Sequence, residues 1–416
     1  MQLKKIEQSL NTWLDDNWSI DLTLREWRER LVEAQWAAVH WPKEYYGRDF
    51  NHEQTALVRD VFRQRRIVGA AQTGPGRLAA ETLLVHGNDE QKQRYLKPIL
   101  TGAEAWCQLF SEPGSGSDLA GSSTKAELID DSWIVNGQKV WTTSAHHADF
   151  GILLARSNWD LPKHQGLSFY LIDMRQKAVE VRPLRQMNGH ASFNEVFMTD
   201  AAVATTDLVG GLGNGWAVAT TTLTIERQGF GGNRRDGGIT GLNELSGLVY
   251  TQFREELAIA QEPYTWYPQR AGRVDMAFPR ALANNSIKDS TVRQELAKLL
   301  CMKRGADSAA EGAAQQRKSG SNQIIPGGSI GKLAASEIAR QAAHVHTLIS
   351  GADSMLSGAD SAEGGIVAEI LLSVPAISIA GGTDEIQKNI IAERVLDMPK
   401  EMRSDTGPFR DIARSD

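Results

Sequence analysis

The sequence predicts an α+β protein with a helical N-terminal domain, a middle antiparallel β-barrel and a C-terminal helical bundle. Three observations carry this expectation. Residues 1–103 place apolar side chains at spacings of three and four, the signature of helices buried on one face. Residues 104–212 break into short segments rich in β-branched and aromatic residues, separated by turn signals such as "DDS" and "NG". From 213 to 416 the helical spacing returns.

In the first part, Trp13 with Leu14, Leu22 and Leu24 near Trp27 and Leu31, and Leu57 with Val61 fall on helical faces. "HWPKEYYGRD" is a Pro- and Gly-punctuated loop. "HGNDEQKQRYLKPIL" reads as a helix junction, with Gly87 closing one helix and Asn88 or Asp89 capping the next. The middle part holds the strand candidates "AWCQLFSE", "TKAEL", "SWIVNGQKVWTT", "FGILLAR", "LSFYLID" and "NEVFMTD". The last part contains "GNGWAVATTTLTIERQGF", "DSTVRQELAKLLCMKRGADSAAEGAAQQ", "SIGKLAASEIARQAAHVHTLIS" and "DEIQKNIIAERVL" as helices. Between 233 and 288 two helices and a Pro/Trp/Tyr-rich loop are expected, and the tail beyond Pro399 reads as polar and mobile.

The chain has 416 residues with 45 Lys plus Arg against 51 Asp plus Glu, a formal net charge of −6. That mild acidic excess gives no basis for nucleic-acid or anionic-membrane binding. Two cysteines, Cys107 and Cys301, build neither a disulfide framework nor a metal cluster. The N-terminal stretch is amphipathic and lacks the apolar region of a signal peptide, and no apolar run of about 18 residues stands out, so no membrane span and a cytoplasmic location are expected. His146 and His147 are adjacent without further ligands, and no metal site is expected.

Four stretches carry chemistry. In "FSEPGSGSDLAGS" (110–122), Gly114 and Gly116 bare backbone amides while Ser111, Ser115 and Ser117 add hydroxyls. Such a loop suits an anion or a flat polar ring, and it also suits a plain tight turn. Its G-x-G is no dinucleotide fingerprint, because no βαβ unit surrounds it. In "NGQKVWTTSAHHADF", Trp141 and Thr143 share one side of an extended strand, as a core pair or as cover for a planar cofactor. In "AGGTDEIQKNIIAERVL", two glycines precede Thr383, a candidate N-cap, with Asp384 and Glu385 in the first turn where the helix dipole favours them. In "LTIERQGFGG", Glu226 continues an apolar stripe of Trp216, Ala219 and Leu223, with Phe230 next. A carboxylate there sits at a frayed helix end, pairs with an arginine, or occupies an apolar pocket where desolvation makes it a better proton acceptor.

Taken in order, these segments resemble the acyl-CoA dehydrogenases. "WPKEYYGR", "QLFSEPGSGSDLAG", "NGQKVWTTSAHHADFGILLAR", "FNEVFMTDAAVATTDLVGGLGNGWAVA" and "GGTDEIQKNIIAERVL" are similar to five of that family's segments and span roughly 35–232 and 289–400. The resemblance implies FAD held non-covalently, with Gln108, Phe110, Ser111, Gly116 and Ser117 at the flavin or its phosphates, Trp141 and Thr143 along the ring, and Thr383 and Glu385 reaching it from the last helix. It places Ser117, Arg227, Gly381 and Gly382 at an acyl-CoA substrate. It implies abstraction of the α-proton by a carboxylate, hydride transfer from the β-carbon to the flavin, and electrons passed to an electron-transfer flavoprotein.

Most family members carry that carboxylate just before the "GT" of the last motif, where this chain has Gly381. A subgroup that includes the isovaleryl-CoA dehydrogenases carries it on the helix after the β domain, where this chain has Glu226. Two segments depart from the family: its "R-x-[TS]-F-G" stretch is replaced by 233–288, leaving Arg280 as a weak substitute, and "TLISGADS" keeps Gly351 without the family's glutamine. In the family these segments reach a neighbouring subunit's FAD. The assembly expected is therefore a homo-oligomer, dimer or tetramer, or a heterotetramer with a related subunit in which this chain's own flavin site is incomplete. Two other functions on this fold are a flavin oxidase or monooxygenase, such as the nitroalkane oxidases, and a non-catalytic partner subunit.

Overall fold

The computed structural model describes residues 2–71, 74–229, 238–318, 327–361, 363–402 and 405–412. The chain divides into two compact units, Met1–Leu184 with Ser192–Pro263 and Asp405–Asp416, and Arg185–Ala191 with Tyr264–Ser404.

The first unit opens with helices α1 (Gln2–Asn17), α2 (Leu24–Glu33), α3 (His52–Gln64), α4 (Gly74–His86) and α5 (Asp89–Thr101). Three of them begin at reciprocal caps that satisfy the orphan amides of a helix start: Thr23 with Glu26, Asn51 with Gln54, and Asn88 with Gln91. The cap left open in the sequence between Asn88 and Asp89 is thus Asn88, and α5 stops at left-handed Gly102. Trp27 is fully buried and its indole Nε1 donates to the Val68 carbonyl at 2.6 Å. Trp13 and Trp18 pack on it with ring centroids 5.6 and 4.5 Å away.

Eight strands follow: β1 (Trp106–Leu109), β2 (Lys125–Ile129), β3 (Ser132–Thr143), β4 (Phe150–Arg156), β5 (Leu167–Asp173), β6 (Val179–Leu184), β7 (Phe193–Ala204) and β8 (Leu208–Val209). They form one sheet in the order β6-β7-β3-β2-β4-β5-β8, with β1 beside β4. Pairing is antiparallel except where β1 runs parallel to β4 and Lys125 of β2 meets Arg156 of β4. Both faces of the β4–β5 pair are buried. Ile152, Leu154, Phe169 and Leu171 face a core shared with α4 and α5, while Leu153, Ala155, Tyr170 and Ile172 face a core within the sheet. This two-sided burial explains the nearly unbroken apolar runs "FGILLAR" and "LSFYLID".

Two helices read from the sequence with the C-terminal part bury their apolar sides in this first unit. Helix α6 (Gly215–Gly229) adds Val218, Ala219 and Ile225 to the core beneath β4 and β5. Helix α7 (Leu248–Gln261) sends Val249, Tyr250 and Phe253 into the tryptophan core of the N-terminal helices. There the Arg28 guanidinium of α2 meets the Glu256 carboxylate of α7, with Nη2 to Oε1 at 2.8 Å.

The tail differs from its sequence expectation of mobility. Residues 405–412 dock on the sheet domain, where Phe409 is 2% exposed and its amide donates to the Leu161 carbonyl at 3.0 Å. An aromatic able to bury itself outweighs the polarity of its neighbours.

The second unit is helical: α8 (Tyr267–Arg270), α9 (Val274–Ala283), α10 (Ser290–Lys318), α11 (Gly327–Ser350), α12 (Ile366–Ser373), α13 (Pro375–Ile379) and α14 (Asp384–Arg394). Ala277, Ala281, Leu296, Leu299, Ala342, Val345 and Ile349 form its main core. Ile366–Arg394 is long and apolar enough by composition to cross a membrane, with a mean hydropathy of 1.7 over its best window. That stretch had not stood out in the sequence, and it is divided by Pro375 and by the left-handed pair Gly381–Gly382 into α12, α13 and α14.

Candidate active site

Helix α6 puts Glu226 where its neighbours dictate. Its buried line is Gly215, Val218, Ala219, Thr222 and Ile225, at spacings of three and four. The stripe read from the sequence is offset to one flank of that line: Trp216 and Leu223 are partly buried against the core, and Glu226 is partly buried beside them. Thr222, at the centre, bonds Thr82 of α4 through their hydroxyls at 2.9 Å, and His86 bonds Thr221 at 2.8 Å, so two polar contacts fix how α6 is rotated against α4. Glu226 Oε2 lies 3.5 Å from Nε2 of Gln108 on β1. Arg227 and Gly229 lie in the same helix, but the Arg227 side chain is outside the described residues, as is Phe230.

Strand β1 leads from Gln108 into the serine- and glycine-rich turn. Phe110 is buried and Ser111 is partly so, and the Ser111 carbonyl accepts from the Val140 amide at 2.9 Å. Glu112 and Ser115 bond each other's backbones, leaving Gly114, Gly116 and Ser117 exposed at the tip. A Cβ built on Gly116 meets nothing within 4 Å, so that stretch of backbone is open to a ligand.

The turn rests on Glu112, which sequence reasoning did not single out. Its Oε2 accepts from the Ser123 amide at 2.7 Å and its Oε1 from the Thr124 amide at 2.9 Å. The same Oε1 is 2.8 Å from the ammonium of Lys139, a side chain with 0% exposure that also donates to the Phe110 carbonyl at 2.9 Å. Burial pushes the Glu112 carboxyl up, but Lys139 and the amide and hydroxyl donors outweigh it and hold the group at about 2. Burial lowers the Lys139 pKa against the opposing pull of Glu112. The available signal was spacing: Lys139 sits two residues before Trp141, so alternation aims both to one side until a bulge intervenes.

That bulge corrects the extended strand expected through Trp141 and Thr143. The β3–β7 register shifts between Lys139 and Thr142, and Trp141 has φ +61°. A bulky residue in the left-handed region is a strained conformation that clusters at functional sites. Its ring is 56% exposed and meets Phe193 edge-on at 5.8 Å. Thr142 turns inward and is buried, and Thr143 is partly buried opposite Phe193 of β7. An exposed tryptophan, an open glycine turn and an adjoining strand are the features a flat, anionic cofactor requires, and in this respect the residues of the first unit fit one.

In the second unit, Thr383 caps α14, its hydroxyl accepting from the Ile386 amide at 3.3 Å. Gly381 and Gly382 have φ of +69° and +85°. Asp384 and Glu385 part company. Asp384 is buried and bonds Lys332 at 2.7 Å, Ser336 at 2.8 Å and Arg340 at 2.9 Å, whereas Glu385 is exposed. Burial raises the Asp384 pKa, but those three partners lower it to about 2. Arg280 is likewise engaged, with Glu363 and Ser350 each at 2.6 Å and Nδ1 of buried His346 at 2.7 Å. Among the described residues no cluster of His, Cys, Asp and Glu is arranged to hold a metal.

Comparison with known proteins matches three family models: the acyl-CoA dehydrogenase N-terminal domain over residues 4–103, the middle domain over 107–201 and the C-terminal domain over 276–396. The chain is 33% identical over 379 residues to the acyl-CoA dehydrogenase IpdE1 of Mycobacterium tuberculosis, covering 91% of this chain and 89% of that protein. Among solved structures it is similar to the Tcur3481-Tcur3483 steroid ACAD, with a TM-score of 0.64 at 20% identity over 96% of this chain and 98% of the other. It is also similar to a chain of the ChsE4-ChsE5 complex from Mycobacterium tuberculosis, with a TM-score of 0.54 at 22% identity over 96% and 98% of the two chains. At these identities the structural matches speak to the fold.

Proposed function

The chain belongs to the acyl-CoA dehydrogenase family and is an oxidoreductase, and from that premise we propose that it converts an acyl-CoA thioester to the trans-2-enoyl-CoA with FAD, passing electrons to an electron-transfer flavoprotein. Members of this family are flavoproteins. The observation that carries the reading is the placement of Glu226, a carboxylate on the half-buried flank of α6, beside Gln108 of the strand that enters the glycine turn.

Glu226 is the base that takes the α-proton of the substrate. Its partial burial limits the access of bulk water to the carboxylate, and the Gln108 amide lies within reach of one of its oxygens. The family's usual base position is occupied by Gly381, whose left-handed backbone suits glycine and disfavours a glutamate. Backbone amides of Gly116 and Ser117, with the Ser111 and Ser117 hydroxyls, would hold the cofactor's phosphates, and Trp141 with Thr143 would flank its ring. Ser117 and Arg227 would meet the acyl-CoA. When bound, the flavin supplies the acceptor for the hydride that leaves the β-carbon.

The test is Glu226→Gln. The variant should purify with its yellow cofactor and bind acyl-CoA, yet reduce its flavin roughly a thousandfold more slowly in single turnover. Bleaching at the wild-type rate refutes the assignment. Oxygen consumption without an added acceptor would favour the oxidase reading instead. Two similar structures bear the names of two-component assemblies, which supports a heterotetramer beside the homo-oligomer; the mass of the purified chain, alone and with a related subunit, separates them. A panel of thioesters from short branched to steroid-like, read by bleaching, assigns the acyl group.

A further inference from the structure

The docked tail reaches two buried cations, Arg156 and Lys163. The guanidinium of Arg156 lies over the Phe409 ring, its central carbon 3.3 Å from the ring centroid, and the Trp159 ring packs tilted on Phe409 with centroids 5.3 Å apart. Arg156 is fully buried and donates to the carbonyls of Ser122 at 3.0 Å, Ala120 at 2.7 Å and Lys163 at 3.1 Å. Ala120 and Ser122 are the far end of the serine- and glycine-rich turn. A second link runs in parallel. The Lys163 ammonium bonds both oxygens of Asp118, at 3.0 and 2.9 Å, and also pairs with Asp405 of the tail. Asp118 in turn accepts from the Ser115 hydroxyl through its carbonyl at 2.6 Å. Arg410 pairs with Asp160, and the Phe409 and Arg410 amides extend the 159–161 backbone.

We propose that residues 405–412 are a positioning element for the turn at 115–122. Phe409 holds Arg156, and Asp405 holds Lys163, so that the exposed amides at Gly116 and Ser117 keep the geometry that receives an anionic ligand. The proposal rests on the reading of that turn as part of the cofactor site. Phe409 itself touches neither cofactor nor substrate. Its guanidinium contact is desolvated, the setting in which a cation–π pair is strongest.

The test compares the full chain with a chain ending at Met402 and with Phe409→Leu, which keeps an apolar plug and removes the aromatic face. Both should bind FAD about tenfold more weakly, while kcat at saturating FAD stays within about twofold of wild type. A synthetic peptide of residues 403–416 added to the shortened chain should restore the affinity. Unchanged FAD affinity in both variants overturns the proposal, and so does an affinity loss that the peptide does not repair. Amide hydrogen exchange at 115–123, measured without FAD, reads the clamp alone. It should quicken in both variants even if the turn binds something other than a flavin, and unchanged exchange overturns the clamp whatever the turn binds.

Discussion

Lys139 and Glu112 form an ion pair that water does not reach: Nζ and Oε1 are 2.8 Å apart, and the two side chains are 0% and 6% exposed. The pair ties β3 to the turn that follows β1, and every polar atom on either side of it has a backbone partner within reach. Removing one member strands the other charge in a low-dielectric interior. Lys139→Met should therefore destabilise the protein by about 3–5 kcal/mol, and Lys139→Met with Glu112→Gln by clearly less. Urea denaturation of the three proteins measures both differences.

Two carboxylates set the acid limit of stability. Glu112 and Asp384 are held at about 2, against ordinary values of 4.5 and 3.8. A carboxylate with a lowered folded-state pKa contributes stability that is complete above the unfolded value and is lost as pH falls through the folded one. Thermal stability should thus decline from about pH 4.5 down to about pH 2. Asp384→Asn should flatten the lower part of that curve, which calorimetry across the range reads directly.

Gln108 Nε2 lies 3.5 Å from Glu226 Oε2, and on the reading of Glu226 as the base it fixes where that carboxylate points. Gln108→Leu should then slow flavin reduction by roughly tenfold to a hundredfold in single turnover at saturating acyl-CoA. An unchanged rate would show that this contact does not position Glu226.

The glycines before Thr383 both hold a backbone conformation that glycine adopts most readily. Both are left-handed, so an alanine at either costs about 1–2 kcal/mol of backbone strain. At Gly382 the added Cβ would also sit 2.6 Å from Nε2 of Gln387, a side chain held by the Gly381 carbonyl at 3.2 Å. Gly382→Ala should therefore lower the melting temperature, which calorimetry measures.

The helix–strand–helix order was legible because each region repeats its own period over many residues. The β-strand runs 150–156 and 167–173 announced themselves through continuous apolar composition. What one-dimensional spacing could not show was phase. The stripe through Trp216, Ala219 and Leu223 is real, but the helix buries Val218, Ala219 and Thr222 fully and leaves Trp216 and Leu223 only partly covered, because Thr222 finds a hydroxyl partner on α4. A polar residue at the centre of a buried face misleads any reading based on hydrophobicity. Trp141 was misread for the converse reason: its alternation with Thr143 is regular in sequence, and only the pairing with β7 reveals the extra residue. Glu112, Lys139 and Arg156 escaped because charged residues are read as solvated until their hydrogen-bond partners, 7 to 36 positions away, are known.

The parallel pairing of β1 with β4 also orders events in time. Parallel neighbours cannot be joined by a hairpin, so residues 110–149 all lie within the crossover between them. The glycine turn, Lys139 and the Trp141 bulge are carried on that one excursion. A nascent chain that has not yet delivered Phe150–Arg156 has no strand on which to register Trp106–Leu109. Parallel pairing across such a span must meet its loop-closure entropy before any contact rewards it, whereas helices form from local contacts, so the candidate binding surface is completed late, after α4 and α5 have formed.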